Sequence, residues 1–178
     1  MKLLSIAVPC FNSQGYMRHC VDTLLTGGDE VEILIVNDGS KDDTAAIADE
    51  YERLYPGIVR AVHQENGGHG AAVMAGLKNA QGRYFKVVDS DDWVDEEAYA
   101  KILCALRDFV HGGQEVDLVV SNFVYDKVGA RHKKVMSYAN ALPEEQVIGW
   151  DQVGRFHKGQ YILMHSVIYR TQLLIDSG

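Results

Sequence analysis

The sequence predicts an α/β fold with a mainly parallel central sheet, helices on both faces of the sheet, and a mixed arrangement towards the C-terminus. Two observations support this prediction. Apolar runs typical of strands alternate with helical apolar patterns through four rounds in residues 3–110, which indicates parallel strands joined by right-handed crossovers. A predicted hairpin then breaks the alternation in residues 111–178.

Each of the four rounds combines one strand with one helix. The predicted strands are short and rich in Val, Ile and Leu, and the predicted helices carry apolar residues three to four positions apart. In chain order the strand and helix pairs are 3–8 and 14–26, 31–37 and 41–55, 58–64 and 70–80, and 83–88 and 95–110.

The elements after residue 110 follow a different order. Strand 116–125 and segment 131–138 are joined by Val128-Gly129-Ala130 and read as a hairpin. A short helix near 149–154, a strand near 161–169 and a helix from Arg170 to Ser177-Gly178 complete the prediction. We therefore expect one structural domain with two parts, 1–110 and 111–178, whose last helix ends the chain in the middle of a fold.

The composition excludes several classes of protein. The 178 residues suffice for one domain, and 17 Lys+Arg against 25 Asp+Glu give a net charge of −8, which argues against a nucleic-acid partner or broad attraction to an anionic membrane. No apolar run approaches 18 residues, the length that a membrane span needs. The three cysteines lack Cys-x-x-Cys spacing and predict neither a disulfide framework nor a zinc site, which favours a reducing compartment.

Polar or glycine-rich residues follow each of the four predicted strands. Ligands of open α/β sheets bind beyond the carboxyl ends of the strands, so these junctions are the candidate functional segments. They are Pro9-Cys-Phe-Asn12, Asn37-Asp-Gly-Ser40, Asn66-Gly-Gly-His-Gly70 and Asp89-Ser-Asp-Asp92.

The acidic junction has two interpretations. Alternate carboxylates, Asp89 and Asp91, would face the same side of an extended segment and hold Mg²⁺ or Mn²⁺, which would bridge the phosphates of a substrate. Alternatively, the acids form a solvated turn that caps the helix that follows. Their place after the apolar strand 83–88 favours a metal site.

The other junctions also leave alternatives open. Asp38 either forms an Asx turn or accepts a hydrogen bond from the imide N–H of a base such as uracil. The glycine loop with Gly68 and His69 either makes a tight turn or binds phosphate at the N-terminus of a helix. Phe11 either packs against a base or is a buried aromatic. The histidines at positions 63, 111, 132, 157 and 165 show no metal-ligand spacing.

Taken in order, the junctions resemble those of family 2 glycosyltransferases, the inverting enzymes with the GT-A fold that use nucleotide-activated sugars. The resemblance covers residues 3–125. It rests on Ser5-Ile-Ala-Val-Pro-Cys-Phe-Asn12, on Ile33-Leu-Ile-Val-Asn-Asp-Gly-Ser-Lys-Asp-Asp-Thr44, on Asn66-Gly-Gly-His-Gly70 with Gly76 and Gly82, and on Val88-Asp-Ser-Asp-Asp-Trp93.

The resemblance implies roles for particular residues. The nucleotide-binding set would be Pro9, Phe11, Asp38, Gly68, His69, Asp89 and Ser90. Asp89 and Asp91 would form the family's DxD motif and hold the Mn²⁺ or Mg²⁺ cofactor. Asp91 would be the main metal ligand, and Asp89 would also contact the ribose or donor sugar, with Asp92 in support. Residues 1–110 would then be the nucleotide-binding half, and 111–178 would begin the acceptor-side half.

The implied reaction moves a sugar from a nucleotide diphosphate donor, with UDP favoured, to a carbohydrate or lipid-linked acceptor. Such enzymes build surface polysaccharides or glycolipids in the cytoplasm or at the cytoplasmic face of a membrane, so peripheral membrane association through segments outside this chain is expected. The segment 169–178 resembles the one that precedes the family's acidic catalytic motif. We therefore expect the general base beyond Gly178, and poor transfer by this chain alone.

Two other functions fit parts of the pattern. A sugar-nucleotide nucleotidyltransferase has a related layout, but it would need a basic glycine-rich loop after the first strand, where this chain has Pro9-Cys-Phe-Asn12. A catalytically silent module that binds a nucleotide sugar would lack the general base while keeping the motif aspartates.

Overall fold

The computed structural model describes residues 2–126 and 133–177. The strands are β1 Leu4–Cys10, β2 Val31–Asp38, β3 Val59–Gln64, β4 Tyr84–Val87, β5 Leu118–Val120, β6 Phe123–Tyr125, β7 Lys134–Met136 and β8 Val167–Arg170. The helices are α1 Met17–Leu25, α2 Thr44–Leu54, α3 His69–Asn79, α4 Glu96–His111 and α5 Thr171–Ser177. All four predicted rounds of strand and helix are therefore confirmed, with shifts of a few residues at their ends.

Six of the strands form one sheet in the order β3-β2-β1-β4-β8-β5. Strands β1 to β4 are parallel, whereas β8 runs antiparallel to both β4 and β5. The predicted mainly parallel sheet that becomes mixed towards the C-terminus is confirmed. Since β5 and β8 lie beyond residue 110, the two predicted parts of the chain contribute to the same sheet.

The central strands are covered on both faces, and every residue of β1 and β2 is buried. On one face Ile6 and its neighbours pack against α1, α2 and α4. On the other face Ala7 and Phe85 pack against Leu77 of α3 and Leu174 of α5. Strands of a sheet that is covered on both faces are apolar throughout. The sequences of β1 and β2 therefore predict strands.

The predicted strand 116–125 is two short strands in different sheets. β5 joins the large sheet, whereas β6 pairs with β7, with Phe123 opposite Met136. The chain changes sheet at Ser121, whose N–H donates to the carbonyl of Ser166. The predicted hairpin is thus present in its β6 and β7 strands, while its connection Val128-Gly129-Ala130 lies outside the described residues.

The predicted strand 161–169 is shorter than expected, and the helix near 149–154 is a single 3₁₀ turn, Trp150–Gln152. A second 3₁₀ turn, Met164–Ser166, precedes β8. The Ser166 hydroxyl donates to the carbonyl of Leu163 at 2.7 Å. This local bond favours a turn over an extended strand. Among the described residues, no helix combines the length and apolar character needed to cross a bilayer.

Gly82 lies where the chain enters β4 and touches the backbone of β1. A Cβ at this position would lie 2.5 Å from the Ser5 nitrogen and 2.8 Å from the Leu4 carbonyl carbon. Because β1 is central and cannot move aside, Gly82→Ala is expected to lower the free energy of unfolding by about 1–3 kcal/mol. Denaturant titration measures this loss.

The matched control is Gly70→Ala in the first turn of α3, where a Cβ would meet nothing within 4 Å. Alanine has the higher helix propensity, so this variant is expected to gain up to about 1 kcal/mol. A Gly82→Ala protein as stable as the native chain would contradict the close packing described for this position.

Candidate functional site

The loops after β1, β2, β3 and β4 meet at one edge of the sheet, as expected for parallel strands. Hydrogen bonds link each of these loops to at least one other. The site is therefore a connected set of four loops.

The first and second loops are joined through Asn12. Its N–H donates to the Ser40 hydroxyl at 3.0 Å, and its side-chain carbonyl accepts from the Lys41 N–H at 2.8 Å. Asn12 has a φ of 52°, a left-handed conformation that asparagine adopts more readily than most residues. The N–H of Gln14 donates to the carboxylate of Asp42 at 3.1 Å.

The second and third loops are joined through Asp38, the last residue of β2. Its Oδ1 accepts from the Gln64 amide at 2.7 Å and from the Gly67 N–H at 2.8 Å, and its Oδ2 accepts from the Gly68 N–H at 2.8 Å. Asp38 is 3% exposed. The N–H groups predicted to receive phosphate thus bind a carboxylate of the protein. Since each oxygen has two lone pairs, Oδ2 keeps one for another donor.

These contacts change the titration of the acids at this edge. Burial opposes the charged form of Asp38, but hydrogen bonds from Gly67, Gln64 and Gly68 outweigh it and hold the pKa of Asp38 below its usual value. The pKa of Asp42 is also lowered, because hydrogen bonds from its own loop and from the first loop outweigh its burial.

Acid is therefore expected to weaken the fold through this edge. A carboxylate with a depressed pKa contributes stability that is complete above its unfolded-state pKa, about 3.9 for aspartate, and is lost as the pH falls through the lower folded-state value. Denaturant titrations at stepped pH should show the free energy of unfolding falling below about pH 4. The double variant Asp38→Asn, Asp42→Asn should fall less steeply, and an identical slope in both proteins would refute this cause.

The fourth loop is a tight turn in which the N–H of Asp92 donates to the carbonyl of Asp89 at 2.9 Å. The turn brings Asp89 and Asp92 together beside His165, and one ligand atom from each of the three lies within 4.8 Å of the other two. Asp91 is exposed and is not part of this group. The predicted pairing of Asp89 with Asp91 assumed an extended segment, in which alternate residues share a face. A turn instead brings its first and fourth residues together.

His165 was not predicted as a site residue. Its Nδ1 lies 3.1 Å from Oδ2 of Asp92, yet the angles do not make a hydrogen bond, and this buried nitrogen has no hydrogen-bond partner among the described residues. No local spacing links His165 to the acidic turn. His165 lies inside the predicted strand 161–169, and in the structure it lies in the turn just before β8. Because β8 is antiparallel to β4, it starts beside the point where β4 ends.

The surroundings of Asp92 oppose its charged form. Burial raises the pKa of Asp92, and the neighbouring Asp91 and Asp89 raise it further, whereas His165 and Lys86 act in the opposite direction. A carboxylate with a raised pKa beside other acids is typical of sites that bind cations or perform proton chemistry.

His69 joins the third and fourth loops. It is the first residue of α3, and its Nε2 lies 2.8 Å from Oδ1 of Asp89. Its side chain is 52% exposed. The imidazole predicted to contact phosphate is thus bound to a carboxylate and remains open to solvent on one side.

The remaining predicted residues fall into two groups. Ser90 is buried, and its hydroxyl lies 2.9 Å from that of Ser13, so its side chain connects the fourth loop to the first. Pro9 is buried within β1 and offers little surface to a ligand. Phe11, by contrast, is 50% exposed, so the alternative of a buried aromatic does not apply to it.

Comparisons of sequence identify relatives of this chain. The family model described as Glycosyl transferase family 2 matches residues 5–165. The putative glycosyltransferase EpsH of Bacillus subtilis (strain 168) is 36% identical over 121 residues, which cover 67% of this chain and 33% of EpsH. The minor teichoic acid biosynthesis protein GgaA of the same bacterium is 26% identical over 180 residues, which cover 94% of this chain and 39% of GgaA.

Solved structures with the same architecture include TarS 1–349 of S. aureus. The crystal structure superposes with a TM-score of 0.71 at 25% identity and covers 99% of this chain and 49% of the TarS chain. A complex of TarS 1–349 with UDP gives a TM-score of 0.72 at the same identity. This chain therefore spans about half the length of TarS 1–349 and less than half that of the curated relatives above.

Proposed function

The chain belongs to glycosyl transferase family 2 and has the GT-A fold that its sequence predicted, and we propose that it moves a sugar from a nucleotide diphosphate donor to an acceptor hydroxyl with inversion. The observation that carries the proposal is the connection of four strand-end loops by hydrogen bonds, with Asp89 and Asp92 of the fourth loop beside His165. Such an edge can hold the base, the diphosphate and a cation in one place.

We propose UDP as the nucleotide. Oδ2 of Asp38 has one lone pair left, which suits the imide N–H of uracil. The half-exposed ring of Phe11, directly after β1, can stack on the base. TarS, at 25% identity, has been crystallised with UDP, which supports the same choice here.

We propose Mn²⁺ as the cation, held by Asp89, Asp92 and His165. The residues fit a metal, since two carboxylates face a buried imidazole nitrogen that lacks a hydrogen-bond partner among the described residues. Carboxylates suit both Mg²⁺ and Mn²⁺, but Mg²⁺ is usually bound through oxygen atoms alone, so the imidazole favours Mn²⁺. Asp91 of the DxD pattern is the alternative ligand.

The bound cation would neutralise the charge that develops on the diphosphate leaving group. The protein's own groups would hold the donor: Asp38 orients the base, and His69 lies beside Asp89 at the rim, where it can donate to a phosphate oxygen. We assign no general base among the described residues. A carbohydrate or lipid-linked acceptor at the cytoplasmic face of a membrane, in surface polysaccharide synthesis, remains the expected context.

Calorimetric titration of this chain with UDP, GDP and ADP, each with Mn²⁺ and with chelator, tests the proposal. We expect UDP to bind most tightly and to need Mn²⁺. Binding of no nucleoside diphosphate would refute the proposed donor. Incubation with UDP-sugars then separates an active transferase, which releases UDP, from a silent binding module, which does not.

A further inference from the structure

Strands β4 and β8 separate as they approach the site. They are paired only through Tyr84 with Arg170 and Phe85 with Tyr169. Lys86 is the next residue of β4, and its side chain continues the connection after the ladder ends. Its Nζ donates to the carbonyl of His165 at 2.8 Å and, at 3.5 Å, to that of Val167.

A lysine is an unusual choice for this position. Lys86 is only 9% exposed, and lysine is rarely buried unless it is paired. An apolar side chain of similar length would fill the same space without desolvating an ammonium group. The unfavourable burial therefore calls for an explanation beyond packing.

The 3₁₀ turn that carries His165 is held from several sides. Lys86 holds the carbonyl of His165 itself. The N–H of Ser121 donates to the carbonyl of Ser166 at 2.8 Å, and the hydroxyl of Tyr138 lies 3.3 Å from that of Ser166. Of these contacts, the one from Lys86 joins the turn to β4, the strand that leads into Asp89 and Asp92.

We infer that Lys86 is a positioning residue, which fixes the imidazole of His165 at the distance from Asp89 and Asp92 that a shared cation requires. The inference rests on the cation site of the proposed function. Lys86 would not touch the cation. It sets the separation of the two chain segments that supply the ligands, in the way that outer groups orient the ligands of other metal sites.

A double-mutant cycle tests this role, with Lys86→Met as the variant that keeps the length and removes the donor. Mn²⁺ affinity is measured by calorimetry on the native chain, Lys86→Met, His165→Ala and the double variant. We expect Lys86→Met to weaken Mn²⁺ binding about tenfold, the lower end of the range for groups that orient ligands. In the His165→Ala background the same substitution should change the affinity less than about twofold, because its target is gone.

The outcomes separate the inference from the proposed function. Absence of Mn²⁺ binding by the native chain would overturn both. An equal loss from Lys86→Met with and without His165, or no loss at all, would overturn the positioning role alone. Lys86→Arg keeps a charged donor and is expected to recover part of the affinity.

Lys86→Gln is the second variant, in case Lys86→Met does not fold. Glutamine keeps a donor on a shorter side chain, and it is expected to give an intermediate Mn²⁺ affinity. If neither variant folds, Lys86 serves the stability of the sheet and the inference is wrong.

Discussion

Asp92→Asn is expected to reduce the Mn²⁺-dependent affinity for UDP by roughly 100-fold or more, since even groups that only orient metal ligands contribute about 10- to 100-fold. Asp92 lies in the group with Asp89 and His165, and the substitution removes its charge with little change of shape. Calorimetry at fixed Mn²⁺ measures the change, and a titration with chelator gives the metal-independent baseline.

Asp91→Asn is the matched control, because it removes the same charge from the neighbouring residue of the same turn. Asp91 is exposed and lies outside the group, so we expect less than about a tenfold loss, which reflects the weaker long-range attraction of the cation. A larger loss of UDP affinity in Asp91→Asn than in Asp92→Asn would contradict this assignment and would indicate that Asp89 and Asp91 hold the cation.

Asp38→Ala is expected to lower both the stability of the protein and its affinity for UDP. The substitution leaves the Gly67 N–H, the Gly68 N–H and the Gln64 amide without their acceptor. A hydrogen bond to a charged group contributes about 1.5–3 kcal/mol, and water recovers part of this because Gly67 and Gly68 are exposed. We expect a loss of about 3 kcal/mol in the free energy of unfolding, measured by denaturant titration.

Two further variants separate the causes. Asp43→Ala removes an exposed acid whose side chain caps no helix N–H, and it is expected to change stability by less than about 0.5 kcal/mol. Asp38→Asn keeps one acceptor oxygen and should fall between the other two. A stable Asp38→Ala protein with full UDP affinity would refute both the structural and the base-binding role of this carboxylate.

The first 110 residues were predictable because their physics is local and repetitive. Strands β1 and β2 are buried on both faces, so their sequences are nearly continuous apolar runs. Helices α1, α2 and α4 each bury one face, so apolar residues recur every three to four positions in their sequences. This spacing predicts helices. Parallel topology then follows from the alternation of strand and helix.

The later residues were harder to predict, since their strands are short and their form depends on distant partners. β5 and β6 are three residues each and join different sheets. The turn before β8 replaces predicted strand because the Ser166 hydroxyl bonds within the turn. No local sequence pattern predicts that β5 and β6 join different sheets, or that a turn precedes β8.

The candidate site was predictable in its location and less so in its detail. The sequence placed Asp38 and the glycine loop at one edge, and hydrogen bonds join them there. The sequence did not indicate the turn that brings Asp92 close to Asp89, because a run of acids has the same sequence pattern in a turn and in an extended segment. The pairing of β8 with β4 places His165 beside the acidic turn, and these strands are far apart in the chain.

Crystals of this chain grown with UDP and Mn²⁺ would locate the cation and the base, through an anomalous difference map collected at the manganese edge. We expect one strong peak in contact with Asp89, Asp92 and His165 and with the diphosphate, and a uracil ring whose imide N–H faces Asp38. A manganese ion that contacts none of these three side chains, or a nucleotide bound away from this edge of the sheet, would contradict it.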